Sequence, residues 1–252
     1  MDFVKAEGLG NDFIIVPEPL RAAPDRIAAW CERKTGIGAD GVLEVTPVDA
    51  ASVAMRYWNA DGGSAEMCGN GLRCVALVAV DLGLVPGPTL TVHSAVGEHP
   101  ATVLPGGIVR AFVGEPHAFR TEELTVAGHR VRPIGVGNPH AVLFVDDVDE
   151  ADVAKIGSKI ELDPIFPEGS NVEFVQRGEG NRIKVRVWER GVGETRASGT
   201  GATAAAYAAR AVDELGDAVT VALPGGELLI EFDDVGAWMT GPATIVFSGS
   251  VD

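Results

Sequence analysis

The feature that most constrains this chain is that it repeats itself. Gly8-Leu-Gly10-Asn11 recurs as Gly135-Val-Gly137-Asn138, and Arg56-Tyr-Trp58-Asn59 recurs as Arg186-Val-Trp188-Glu189. Cys68-Gly69-Asn70-Gly71 recurs as Ser198-Gly199-Thr200-Gly201. The three pairs keep their order and stand roughly 130 residues apart. One such pair is within the reach of chance; three in order indicate duplication.

The local patterns agree with two copies of one unit. Val53–Trp58 and Ile183–Trp188 alternate apolar and polar residues as half-buried strands do. Each leads into a Gly-rich loop, and each loop opens an Ala-rich helix, Leu72 to about Leu82 and Ala202 to about Ala211. Gly41–Val45, Leu90–His93, Ala141–Val145 and Val219–Leu223 read as further short strands. Pro86-Gly-Pro88, Pro105-Gly-Gly107 and Pro224-Gly-Gly226 read as turns. Many strands with one long helix per half make the expected class α+β, with the first unit ending around Gly114-Glu-Pro116.

Composition excludes several functions. The formal net charge of −16 opposes binding to nucleic acid or to an anionic membrane surface, both of which need Lys and Arg. The opening MDFVKAEGLGNDF has no basic region followed by an apolar stretch, so no signal peptide is expected. No apolar run approaches the roughly 20 residues of a membrane span. The expected compartment is the cytoplasm, where Cys31, Cys68 and Cys74 remain thiols.

Small residues followed by a helix start gather dipole-aligned backbone N–H groups around one point. Such a point attracts carboxylates and lowers the pKa of a thiol placed there. Met67-Cys68-Gly69-Asn70-Gly71 has this form, and the matching loop at Ser198 favours function over a merely packed cysteine. Two matching helix mouths suit a reaction in which one group removes a proton and another returns one, such as racemisation at an amino-acid Cα. Without a cofactor the carbanion must be stabilised by dipoles and exclusion of water. No lysine stands in an obvious pyridoxal phosphate setting. The 5 histidines are scattered, none at the spacing of a zinc site, so neither cofactor nor metal is expected.

Gly8-Leu-Gly-Asn11-Asp-Phe13, Gly36-Ile-Gly-Ala-Asp-Gly41, Asn59-Ala-Asp-Gly62, Met67-Cys-Gly-Asn-Gly71, Gly137-Asn-Pro-His140, Gly169-Ser-Asn171 and Glu189-Arg-Gly191 together resemble the signatures of the diaminopimelate epimerase family, in family order and over nearly the whole chain. The resemblance implies two pseudo-symmetric lobes, each a curled, mostly antiparallel sheet around a central helix. The N-terminal lobe would span 1–115, with a strand in 241–252 returning to it, and the C-terminal lobe 116–240. It also implies cofactor-independent conversion of L,L-diaminopimelate to the meso form, for lysine and cell-wall synthesis, often by a homodimer. By position, Cys68 would be one catalytic base. Gly69, Asn70, Gly199 and Thr200 would hold the reacting α-carboxylate through backbone N–H groups, with Asn11 beside them. Asn59, Asn138, Asn171 and Arg190 would serve the distal amino-acid centre, as a bidentate guanidinium and amides can. His140 and Glu189 resemble the pair that helps move protons to and from the bases.

One departure matters. The family's second base is a cysteine, and here that position is Ser198. A hydroxyl is a far poorer base than a thiol, whose reference pKa is about 8.5. Cys74, on the first helix, and Cys31, in an early amphipathic stretch, are expected to pack rather than to replace it. Three readings stay open: an engineered Cys→Ser change; a natural serine activated by His140 or Glu189; or one-sided chemistry by Cys68, such as dehydration of a β-hydroxy amino acid. The last has a parallel in relatives of the proline racemase family that carry Ser or Thr at one base position.

Two readings of other classes compete. Gly36-Ile-Gly38-Ala-Asp-Gly41 matches a dinucleotide fingerprint, but Val42-Leu-Glu-Val45 after it is strand-like rather than helical. Gly199-Thr-Gly201-Ala-Thr-Ala204 opens a helix but follows its strand, ending at Trp188, by roughly ten residues, where a Rossmann turn is tight. A non-catalytic amino-acid binding protein would keep the same pocket, and ligand binding without isotope exchange at Cα would distinguish it. The acidic run Asp146–Asp152 reads as a solvated helix start rather than a calcium loop. Trp30, Trp58, Trp188 and Trp238 read as packing residues.

Overall fold

The computed structural model describes residues 1–120, 122–213 and 215–251, the side chain of residue 213 excepted. The chain divides into two compact units, Met1–Phe112 with Gly241–Asp252, and Val113–Thr240. The first boundary falls inside a strand, just before Gly114-Glu-Pro116, around which the sequence places it.

In the first unit the strands are β1 (Asp2–Gly8), β2 (Asn11–Val16), β3 (Gly41–Asp49), β4 (Ser52–Asn59), β5 (Ser64–Ala65), β6 (Thr89–Ser94), β7 (Gly97–Leu104) and β8 (Ile108–Gly114, which runs across the boundary). Its helices are α1 (Pro24–Cys31) and α2 (Gly69–Asp81). The second unit holds β9 (His117–Ala118), β10 (Leu124–Val126), β11 (His129–Gly135), β12 (Pro139–Phe144), β13 (Asn171–Arg177), β14 (Arg182–Glu189), β15 (Gly193–Thr195), β16 (Ala218–Leu223), β17 (Gly226–Asp233) and β18 (Gly236–Pro242), with helices α3 (Val153–Glu161) and α4 (Gly199–Asp213). The last strand, β19 (Thr244–Ser250), pairs antiparallel with β1 in the first unit.

The duplication is visible in the pairing. In the first unit β1 is antiparallel to β2, β2 parallel to β3, β3 antiparallel to β4, and β4 parallel to β6. In the second, β11, β12, β13, β14 and β16 follow the same sequence of senses. Parallel neighbours cannot be joined by a hairpin. The crossovers between them carry the helices, α1 and α2 in one unit and α3 and α4 in the other.

Each unit curls its sheet around one helix. α2 packs against β1, β2, β3, β4, β6, β7 and β19, and α4 against β11, β12, β13, β14, β16 and β17. A helix so enclosed buries apolar residues around most of its circumference. Leu72, Cys74, Val75, Ala76, Val78 and Ala79 of α2 are buried, as are Ala202, Ala204, Ala205, Ala206, Ala208 and Ala209 of α4. The alternation in β2 and β3 feeds two cores. Phe13, Ile15 and Leu43 join the α2 side, while Ile14, Val16 and Val42 pack with Ile27 and Cys31 of α1. Cys31 and Cys74 are thus core residues. Asp152 caps α3, its side chain accepting from the Lys155 N–H at 3.3 Å. Among the described residues no helix is long and apolar enough to cross a membrane.

Candidate active site

In the first unit the site begins at the hairpin between β1 and β2. Gly8 pairs with Asn11, leaving a two-residue turn of Leu9 (φ 58°) and Gly10 (φ 81°). Two successive positive φ angles match the twist of paired strands, and a leucine accepts one only under constraint. Leu9 is buried at 6% exposure, which supplies that constraint. The turn delivers Asn11 to the first position of β2. Its Nδ2 donates to Asp40 at 2.8 Å. Its Oδ1 accepts from Asn70 Nδ2 at 3.2 Å and from the Cys68 thiol at 3.5 Å. The two ends of the amide are therefore told apart by their partners.

Cys68 is the N-cap of α2, and its Sγ accepts from the Gly71 N–H at 3.4 Å. Gly69 and Asn70 follow as the first helical residues, in the turn whose N–H groups lie at the helix mouth. Arg73, one turn on, is wholly buried; it donates to Asn70 Oδ1 at 2.9 Å and to the Pro242 carbonyl at 3.2 Å. Burial pushes its pKa down. Behind Asn11, Asp40 is paired with Arg33 at 2.6 Å, and Arg33 with Asp12 at 2.7 Å. Lys5 also reaches Asp12 at 2.5 Å. Although burial works to raise the Asp12 carboxyl, these two cations hold it down at about 2. Asn59 ends β4 opposite Gly41, in a turn where Gly62 N–H donates to its carbonyl at 2.9 Å.

The second unit repeats the arrangement with different side chains. Ser198 precedes α4, its Oγ accepting from the Gly201 N–H at 3.2 Å as Cys68 accepts from Gly71. Ser198, Gly199 and Thr200 are buried. His140, in β12, is fully buried with Glu173 of β13. His140 Nδ1 lies 2.7 Å from Glu173 Oε1, and Nε2 lies 2.7 Å from Asn138 Oδ1. Asn171 opens β13, donating to the Pro139 carbonyl at 3.0 Å and accepting from the Arg190 N–H at 3.0 Å. Arg190 extends to the Glu168 carbonyl at 3.2 Å. Glu189 accepts a hydrogen bond from the Thr195 hydroxyl.

The profile of the diaminopimelate epimerase family matches residues 3–117 and 133–246. The chain belongs to the diaminopimelate epimerase family. A diaminopimelate epimerase of Moorella thermoacetica is 41% identical over 275 residues, with 99% of this chain and 98% of the relative covered. That of Desulforudis audaxviator is 43% identical over 273 residues, again covering 99% and 98%. Among solved structures, a PhzF-family phenazine biosynthesis protein of Bacillus anthracis superposes with a TM-score of 0.75 at 16% identity, covering 100% of this chain and 98% of its own. A hydroxyproline epimerase of Agrobacterium vitis, solved with bound trans-4-hydroxy-L-proline, gives 0.74 at 15% identity, covering 99% and 91%. At that identity the likeness is one of fold.

Within the first unit, the family-implied residues Asn11, Cys68 and Asn70 are in hydrogen-bond contact, with Gly69 between the last two. Asn59 stands at the end of β4, the strand paired with β3. Within the second, Asn138 meets His140, and Asn171 meets the Arg190 backbone. His140 meets Glu173 and Asn138, and Glu189 accepts from the Thr195 hydroxyl. Glu173, Arg73, Asp40 and Thr195 also take part in these contacts and are not among the residues that the family resemblance implies. Two of them carry a signal, since Glu173 stands between Val172 and Phe174 and Arg73 between Leu72 and Cys74, where a charge is rarely buried without a partner.

Proposed function

We propose that this chain epimerises diaminopimelate at one Cα, between the L,L and meso forms, without a cofactor. The observation that carries this reading is the matched pair of helix starts, each with a proton-bearing side chain as its cap: the Cys68 thiol on α2 and the Ser198 hydroxyl on α4. Cys68 serves as one proton-transfer group. Ser198 occupies the position of the other, with His140 and Glu189 assisting. The N–H groups of Gly69, Asn70, Gly199 and Thr200 bind the α-carboxylate, where helix dipoles favour an anion and stabilise charge developing beside it. Asn11 stands beside that centre, and Asn59, Asn138, Asn171 and Arg190 recognise the distal amino acid. Cys31, Cys68 and Cys74 are thiols rather than disulfides, which accords with work in a reducing compartment such as the cytoplasm. We take the working form to be a homodimer, from the family resemblance.

Incubation with L,L- and, separately, meso-diaminopimelate in D₂O, followed by proton NMR, tests the assignment. Loss of the α-hydrogen signal, with inversion or without it, is expected. Silence with both isomers would refute the substrate, and β-hydroxy amino acids, with elimination of water by Cys68 alone, would then be tested.

A further inference from the structure

Glu173 is a buried charge that the packing of its unit does not require. It lies between Val172 and Phe174 in β13, with its side chain 0% exposed. One oxygen meets His140 Nδ1 at 2.7 Å; the other, Oε2, is buried with no hydrogen-bond partner. Half-satisfied burial of a carboxylate is costly. The first unit provides the control. There the parallel strands pair Phe13 with Gly41, as β12 and β13 pair His140 with Asn171. Two residues further along β3, Leu43 stands where Glu173 stands in β13. A Cβ added at Gly71 would meet Leu43 Cδ1 at 3.0 Å, and one added at Gly201 would meet Glu173 Oε1 at 2.9 Å. Phe13 and Leu43 are fully buried and apolar. One scaffold therefore holds a Phe–Leu pair in one unit and a His–Glu pair in the other.

The polar pair also borders the reactive position. A Cβ at Gly201 would lie 3.0 Å from Ser198 Oγ as well, so the hydroxyl and the carboxylate crowd the same point. We propose that Glu173 is a positioning residue for proton transfer in the second unit, holding His140 through Nδ1 and stabilising the proton that the ring carries. This rests on reading Ser198 and His140 as part of the active site. Both ring nitrogens face acceptor oxygens, Glu173 Oε1 and Asn138 Oδ1, the setting of an imidazolium, which donates from both. The ring releases the Nε2 proton to the reacting centre and keeps the one on Nδ1. Imidazolium and carboxylate before the step become neutral imidazole and carboxylate after it, and the reverse step reloads the ring. Glu173 stays ionised throughout, as an orienting carboxylate does beside a histidine base. Burial pushes its carboxyl up and His140 pulls it back; among the described residues His140 is the charged or titratable group acting on it.

Glu173→Gln keeps the shape and removes the charge. It is expected to lower kcat for α-hydrogen exchange about 100-fold, to leave KM within about twofold and to alter the pH profile of kcat. The far-downfield proton NMR signal of His140 Nδ1–H is expected to move upfield. A Glu173→Gln enzyme with the wild-type rate and pH profile would overturn the proposal. So would an unmoved Nδ1–H signal, and that readout needs no turnover, so it stands even if diaminopimelate proves not to be the substrate. The double variant His140→Phe, Glu173→Leu installs the first unit's pair. It is expected to fold with a Tm at least equal to wild type and to be inactive; failure to fold would show that packing does require the polar pair.

Discussion

Cys68 and Ser198 occupy equivalent backbone positions and differ by one atom, sulfur against oxygen. Each side chain already accepts an N–H from the third residue of its helix, so the geometry around the two is alike and the acidity of the group is what differs. Ser198→Cys is therefore expected to raise epimerisation by orders of magnitude with little structural change, measured as the rate of inversion of L,L-diaminopimelate. A Ser198→Cys protein without that activity would remove diaminopimelate as the substrate. The other two thiols are inert for a physical reason. Burial pushes Cys31 up to about 11 and Cys74 up to about 12, and the thiolate is the nucleophile. Iodoacetamide at pH 8 should label Cys68 in the native protein and reach Cys31 and Cys74 only on unfolding, as peptide mass mapping would reveal.

At the scale of elements, the first turns of α2 and α4 set the tolerances around Cys68 and Ser198, each in its own unit. Gly71 and Gly201 both sit one turn into a helix, where alanine is normally preferred by about 1 kcal/mol. At Gly201 the added methyl would press on the carboxylate Oε1 at 2.9 Å and the serine Oγ at 3.0 Å. At Gly71 it would press on Leu43 Cδ1 at 3.0 Å, the end of a side chain that can rotate, and on Cys68 Cβ at 3.3 Å. Gly201→Ala is expected to cost about 1–3 kcal/mol by overpacking and to abolish activity. Gly71→Ala should cost less. Thermal unfolding of the two variants side by side checks the order, and equal losses would refute it. The apolar pattern starts these helices at Leu72 and Ala202, whereas they begin at Gly69 and Gly199. Glycine is a weak helix former, so propensity hides a first turn that the cap residue sustains. The short strands β5 and β15 leave no mark in the sequence for a related reason: two or three residues carry no periodicity. β15 places a strand only a few residues before α4, closer than the strand ending at Trp188 from which the sequence spacing is counted. It pairs antiparallel with β14 as a hairpin, and is not the parallel strand of a Rossmann unit.

For the whole molecule, the chain's acid response is governed by networks that join distant segments. Asp12, held at about 2 by Arg33 and Lys5, binds its proton less tightly folded than unfolded, where a carboxyl titrates near 3.9. Its contribution to stability is complete above about pH 4 and is lost as pH falls through 2. Glu173 runs the other way: with its carboxyl raised, it favours the folded state at low pH and loses that contribution as pH rises. Asp12→Asn is expected to flatten the fall in stability between about pH 4 and 2, read from urea midpoints at pH 5, 3 and 2. An unchanged slope would refute the network's role.

Much of this was decided locally. The alternation of Val53–Trp58 and Ile183–Trp188, the Gly-rich loops after them and the Ala-rich stretches beyond are short-range patterns. They determined the α+β class, the two central helices and the placing of Cys68 and Ser198 at helix starts. Residue order alone also carried the repeat. What only the tertiary structure decided are the partners of those residues. Arg73 reaches the Pro242 carbonyl across 169 positions, and His140 meets Glu173 across 33. Neither pairing leaves a local signature, because a buried polar contact is fixed by which strands lie side by side, and parallel neighbours are brought together by crossovers of many residues.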